Sequence, residues 1–212
     1  MVRFILVAVL FVVCAPLHAA GARPILVFGD SLSAAYGIAP DEGWVHLLGE
    51  RLARDGDAHA VVNASISGET TSGGLARLPA LLAEHAPALV MVELGANDGL
   101  RGLPIAEIRA NLERILRMIG DAGARPMLLG IELPINYGAR YRDGLRTMYR
   151  DLAAEFNAPL VPFLLDGVAL DPDLMQADGL HPRAAGQPKI LDNVWPVLKA
   201  ELAAPARAKK GA

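Results

Sequence analysis

Apolar runs alternate with amphipathic stretches along most of this chain. Short continuous runs at 24–28, 60–65, 88–94, 126–133 and 159–163 predict strands. Unbroken apolar runs of that length suit strands buried on both faces. Between them, 104–120 carries Ile105, Ile108, Leu112, Ile115, Leu116 and Ile119 at three- and four-residue spacing. That spacing gives one apolar helix face. Pro104 suits a first helical turn, and Gly120 or Gly123 an end. Residues 43–54, 72–86, 139–156 and 184–203 read as the other helices. Strand and helix alternate throughout, which predicts an α/β protein: a parallel sheet between two helical layers. Neither an internal repeat nor a linker divides 23–204, so one domain is expected. The end, 205–212, reads as a flexible basic tail.

The first 22 residues break the pattern. Arg3 precedes the apolar run Phe4–Val13, which ends at Cys14-Ala15-Pro16, and Ala20-Gly21-Ala22 follows. A basic start, a short apolar core and an A-x-A site describe a secretory signal peptide, cleaved after Ala22 or nearby. The run is too short to span a bilayer, which needs about 20 residues. Val13 before Cys14 argues against a lipoprotein. Cleavage removes Arg3 and the single cysteine, leaving 19 basic and 23 acidic residues, a net charge of −4. The exported chain then has no disulfide and no thiol nucleophile.

Composition narrows the function further. Of 212 residues, 53% are hydrophobic and 20% charged, as in a globular domain. The acidic balance offers no footprint for nucleic acid. In parallel sheets, ligands bind beyond the carboxyl ends of the strands. Four polar segments follow strand candidates: Gly29-Asp30-Ser31, Ser67-Gly68-Glu69, Gly95-Ala96-Asn97-Asp98, and, in the last long loop, Asp178-Gly179-Leu180-His181. Each alone has an ordinary reading, as a cap, a turn or a loop histidine. Together they hold the parts of serine acyl transfer. A serine hydroxyl needs a base to take its proton. Histidine is the natural base, and a carboxylate fixes its tautomer. Asp178, three residues before His181, can supply that carboxylate. Backbone N–H groups of Ser31 and Gly68 and the Asn97 amide can face an oxyanion.

These blocks resemble the GDSL, or SGNH, hydrolase family: the four letters fall on Ser31, Gly68, Asn97 and His181. The stretches NASISGETTSGGLARLP (63–79), ELGANDGLRGLP (93–104) and LMQADGLHP (174–182) are similar to its bacterial periplasmic arylesterase, acyl-CoA thioesterase I and lysophospholipase L1 branch. The likeness covers roughly 24–200. It implies a flavodoxin-like, five-stranded three-layer α/β/α sandwich without cofactor or metal. Ser31 would be nucleophile, His181 base and acid, Asp178 its orienter; Ser31, Gly68 and Asn97 would form the oxyanion hole. It implies a periplasmic or secreted monomer acting on acyl esters or thioesters, with no stable membrane anchor after cleavage. It also implies a mobile loop around Leu75–Ala80 beside the acyl chain, which makes Leu75, Leu78 and Pro79 candidate substrate contacts; Gly73-Gly74 would be its hinge. Arg183 stands where relatives often carry asparagine, a change of charge at the pocket rim.

Other residues compete for attention. Glu93 and Glu132, near the ends of adjacent strand candidates, could form a glycosidase pair if their separation suited it; structural hydrogen bonding is the alternative. His46, His59 and His85 lack metal-ligand spacing, and Trp44 and Trp195 fit a core. Phe163, Leu164, Leu165, Leu170, Leu174 and Met175 either pack beneath the last long loop or wall an acyl site. A periplasmic small-molecule binding protein on the same fold, or a carbohydrate-directed acyl esterase, remains the alternative; a binder has no need of all four polar blocks.

Overall fold

The computed structural model describes residues 22–204. The expected leader, apart from Ala22, and the expected basic tail fall outside the described residues.

Five strands form one sheet: β1 (Ile25–Gly29), β2 (Val61–Asn63), β3 (Leu89–Glu93), β4 (Arg125–Leu129) and β5 (Leu160–Val161). All pairings are parallel, in the order β2-β1-β3-β4-β5. Every residue of β1 and β3 is buried, which explains why their sequences are apolar without alternation. Helices α1 (Trp44–Arg54), α2 (Thr71–His85), α3 (Ala96–Leu100), α4 (Ile105–Asp121), α5 (Ala139–Glu155) and α6 (Gln187–Ala203) complete the order. Helix α1 packs on α6 over one face; α2, α4 and α5 pack together over the other. This is the expected three-layer α/β/α sandwich. The α4 stripe is fully buried at Ile108, Leu112, Ile115, Leu116 and Ile119.

The structure departs from the sequence reading in three places. Strand β4 stops at Leu129, four residues short of the apolar run, and β5 has only two residues. Helix α3 stands where a turn was expected. The supposed mobile loop around Leu75–Ala80 is the middle of α2, a helix opened by Thr70, whose hydroxyl accepts from the Gly73 N–H at 3.2 Å. Gly74 is no hinge there. A Cβ at Gly74 would lie 2.6 Å from Leu94 Cδ1 and 3.2 Å from the Phe28 ring. Its missing side chain lets α2 press onto the sheet.

The strand order reverses direction between β1 and β3. The crevice beyond the carboxyl ends at such a switch point is where ligands bind in sheets of this kind. Gly29 and Glu93 are directly paired at the ends of these two strands, so the Asp30-Ser31 turn and the Leu94–Asn97 turn face one another.

Candidate active site

Ser31 sits in the turn after β1, shaped by Asp30. The Asp30 carboxylate accepts the Leu32 N–H at 3.0 Å, and its carbonyl accepts the Ala34 N–H at 3.0 Å. Leu32 is buried, and the half-buried Ser31 hydroxyl reaches His181 Nε2 at 2.9 Å. His181 Nδ1 lies 2.6 Å from Asp178 Oδ2. A carboxylate only accepts, so Nδ1 carries the proton and Nε2 is the free base facing Ser31.

The loop bearing Asp178 and His181 is held from within. Met175 and Pro182 form an antiparallel bridge, and Gln176 N–H donates to the His181 carbonyl at 2.7 Å. Asp178 Oδ1 accepts the backbone N–H groups of Leu180 at 2.9 Å and His181 at 3.0 Å. Burial alone would raise the Asp178 pKa. The His181 ring and these two backbone donors outweigh it and hold the carboxyl down at about 2. Arg183 supports the same loop rather than standing free at the rim: its backbone N–H donates to the Leu174 carbonyl at 2.7 Å, and its Nε to the Met175 carbonyl at 2.6 Å.

Two supports of this loop carry no signal in a linear reading. The Tyr36 ring packs 4.4 Å from the His181 ring, tilted by 40°. Gln176 Nε2 bridges the carbonyls of Tyr36 and Pro182 at 2.8 and 3.0 Å, tying the histidine loop to the serine loop.

Asn97 lies in the first turn of α3 and lines the cleft beside Ser31. Its Nδ2 donates to Asp30 Oδ2 at 2.9 Å. The neighbouring Asp98 is buried and accepts from the Thr71 N–H at 2.9 Å and the Thr71 hydroxyl at 2.5 Å. Asp98 thus fastens α3, and Asn97 with it, to the start of α2. Gly68 stands on an exposed turn after β2 and does not line the cavity next to Ser31. Among the described residues, no protein group accepts from the N–H of Ser31 or of Gly68.

The cleft at Ser31 has a volume of about 210 Å³, walled by Leu100, Ile131, Leu133, Leu165 and Leu180. It shares Leu133, Pro134, Leu165 and Leu180 with an outer groove of about 390 Å³ that reaches Phe163, Ala169, Leu170 and Met175. Of the expected wall residues, Phe163, Leu165, Leu170 and Met175 line this groove, while Leu164 is core. Leu174, Leu75, Leu78 and Pro79 line neither part. Leu78 is wholly buried and Pro79 lies on the outer side of α2. Leu133 lies in the apolar run 126–133 that reads as strand, and Pro134 and Ile135, which also line the groove, carry no sequence signal of their own. A larger depression of about 610 Å³ between the end of α1 and α6 has none of these groups.

The remaining candidates resolve as structural. Glu132 is paired with Arg146 at 2.7 Å and Arg142 at 3.6 Å, and Glu93 is buried beneath the serine turn. Those two carboxyls form no pair across the cleft. His46, His59 and His85 lie beside Glu50, Asp57 and Glu84. Trp44 is core, its Nε1 donating to the Leu32 carbonyl at 3.2 Å; Trp195 is also buried. Among the described residues, no cluster of histidine, cysteine or carboxylate side chains suits a metal ion.

A doubly wound sheet carrying a Ser–His–Asp relay at its switch point defines the class. The chain belongs to the GDSL-like lipase/acylhydrolase family, whose model matches residues 27–188, and it is a carboxylic ester hydrolase. Esterase TesA of Pseudomonas aeruginosa is 54% identical over 180 residues, covering 85% of this chain and 90% of that protein. A crystal structure of TesA matches with a TM-score of 0.82, covering 84% of this chain and 98% of that one. The thioesterase 1/protease 1/lysophospholipase L1 of Escherichia coli is 46% identical over 183 residues, 86% of each chain. The psychrotrophic esterase EstA from a Pseudoalteromonas species, in a structure inhibited by monoethylphosphonate, is 41% identical with a TM-score of 0.82, covering 86% of this chain and all of that one.

Proposed function

We propose that this hydrolase cleaves acyl esters and thioesters through an acyl-enzyme on Ser31. The reading rests on one observation: the Ser31–His181–Asp178 chain of hydrogen bonds, 2.9 and 2.6 Å long, opens onto an apolar groove. Ser31 Oγ attacks the acyl carbon while its proton passes to His181 Nε2. The carbonyl oxygen becomes an oxyanion, met in the cleft by the Ser31 N–H and Asn97 Nδ2. Gly68, outside the cleft lining but with an N–H that has no protein acceptor among the described residues, is the third candidate donor. Collapse breaks the bond to the alcohol or thiol, which leaves with the proton from His181. Water then repeats the sequence on the Ser31 ester, and the carboxylic acid departs. Asp178 stays ionised throughout and stabilises the imidazolium.

The groove suits an aliphatic acyl chain, and no charged side chain stands in its inner wall except those of the relay, Asp30 and Glu132. Aryl esters, acyl thioesters and lysophospholipids share this acyl half. The enzyme works as an exported monomer in the periplasm or outside the cell, after loss of residues 1–22. Acyl-CoA is scarce there, which favours oxygen esters as substrates. No described helix is long and apolar enough to cross a membrane.

Ser31→Ala tests the reading. Loss of a triad nucleophile costs on the order of 10⁴–10⁶ in kcat, and stoichiometric labelling by an organophosphonate should vanish with it. Full turnover in the folded variant would refute the mechanism, and N-terminal sequencing of the exported protein tests the cleavage.

A further inference from the structure

Beneath the serine turn lie two carboxyl groups that the relay does not use. Asp30 and Glu93 are both wholly buried. Glu93 is the last residue of β3 and is paired in register with Gly29. A Cβ on Gly29 would lie 2.6 Å from Glu93 Oε2 and 2.9 Å from Ser33 Oγ. The glycine before Asp30-Ser31 is therefore what admits the Glu93 carboxyl under the turn. Glu93 Oε2 accepts the Asp30 N–H at 3.1 Å and the Ser33 hydroxyl at 2.9 Å. Its Oε1 is buried and, among the described residues, meets no N–H donor or hydroxyl.

Asp30 is satisfied differently. Oδ1 accepts the Leu32 N–H and Oδ2 accepts Asn97 Nδ2, at 3.0 and 2.9 Å. The two buried side chains are neighbours, since the Glu93 carboxyl sits against the Asp30 backbone N–H at 3.1 Å. Two adjacent buried anions repel, so one proton on the pair relieves both the repulsion and the buried charge. Asp30, with two N–H donors, is the better anion. Glu93, with an oxygen that lacks any donor, is the better acid.

We propose that Glu93 is a positioning residue that stays protonated in the working enzyme, its proton bonded to Asp30, so that the Ser31 turn and Asn97 are locked together. The inference rests on the oxyanion role of Asn97. A carboxylate cannot donate, so an anionic Asp30 fixes the Asn97 amide with Nδ2 toward itself; the second N–H is then directed at the cleft. Burial, first of all, pushes both acids up, Asp30 to about 6 and Glu93 well above the usual range, where the Asp30 charge adds to the effect. The other ionisable groups that act on the pair are His181, on Asp30, and Tyr149, itself beside Asp98. Tyr149 donates to the Leu94 carbonyl at 2.8 Å and Asp98 accepts from Thr71, so neither protonates the pair.

The test combines infrared spectroscopy with kinetics on the full protein. At slightly alkaline pH the wild type should show the C=O stretch of a buried carboxylic acid, shifted in heavy water and absent from Glu93→Gln. A glutamine amide can donate to Asp30 while its oxygen accepts from Asp30 N–H and Ser33. Glu93→Gln should therefore lower kcat less than about tenfold, whereas Glu93→Ala should lower it by about 10², the scale of a 1 Å misplacement. KM should stay within about twofold of wild type in both. Absence of the acid band, or equal losses in the two variants, would overturn the proposal. If Glu93→Ala does not fold, the spectrum and the size of the Glu93→Gln loss still decide. The band does not depend on turnover, so it stands or falls separately from the Ser31→Ala result.

Discussion

Truncating Asn97 should separate chemistry from folding. Asn97 Nδ2 gives one hydrogen to Asp30 Oδ2 at 2.9 Å, and the side chain lines the cleft at Ser31. Asn97→Ala removes two things at once. The first is an oxyanion donor. Losing one typically costs about 10²–10³ in rate, or roughly 3–4 kcal/mol. The oxyanion exists only in the transition state and intermediate, so KM should barely move. The second is a donor to a carboxylate with no exposed surface. Leaving a buried acceptor short of a partner costs about 1–3 kcal/mol of stability. For a domain of this size each kcal/mol lowers Tm by about 2–4 °C. The assay measures kcat, KM and thermal unfolding on one preparation, at a temperature where the variant is folded. A lower Tm with kcat per folded molecule within about threefold of wild type would refute the oxyanion assignment.

Three further outcomes follow from the same geometry. Asp178 is held at about 2, below the usual value of 3.8, so its contribution to stability is present above pH ~4 and lost as pH falls toward 2; the Tm gap between wild type and Asp178→Asn should shrink over that range. High salt should shrink it too, because the carboxyl is 39% exposed, and a pH-independent gap would contradict the assignment. Glu93 is raised in the folded state, chiefly by burial, so the native protein binds the proton more tightly and stability falls as pH rises above the ordinary carboxyl range. Glu93→Gln should flatten part of that decline in thermal melts, and an unchanged slope would argue against the raised value. Ala169→Phe should plug the outer groove without touching the inner cleft; if it displaces two methylenes at about 0.8 kcal/mol each, kcat/KM for long acyl esters should fall by about tenfold while short ones are unaffected. Equal losses for both lengths would place the acyl chain elsewhere.

Periodicity and strand order carried much of this architecture, because local pattern and chain connectivity already restrict how parallel strands stack. The carboxyl ends of those strands share one edge, so Ser31, Asn97 and His181 could be read as neighbours from their places after strand candidates. What the linear pattern could not separate was an apolar strand from an apolar cleft wall. Ile131 and Leu133 belong to the apolar run that continues past β4, yet they wall the cleft. The residue pattern at 72–86 reads as helix, and α2 is one; only the family resemblance implied a loop around Leu75–Ala80, which the threonine cap and the close packing at Gly74 exclude. Asp30 and Glu93 lie 63 residues apart, and only the Gly29–Glu93 register puts the Glu93 carboxyl under the Asp30 N–H. The meaning of a carboxyl group depends on what else is buried beside it, and that is a property of strand pairing, not of sequence spacing.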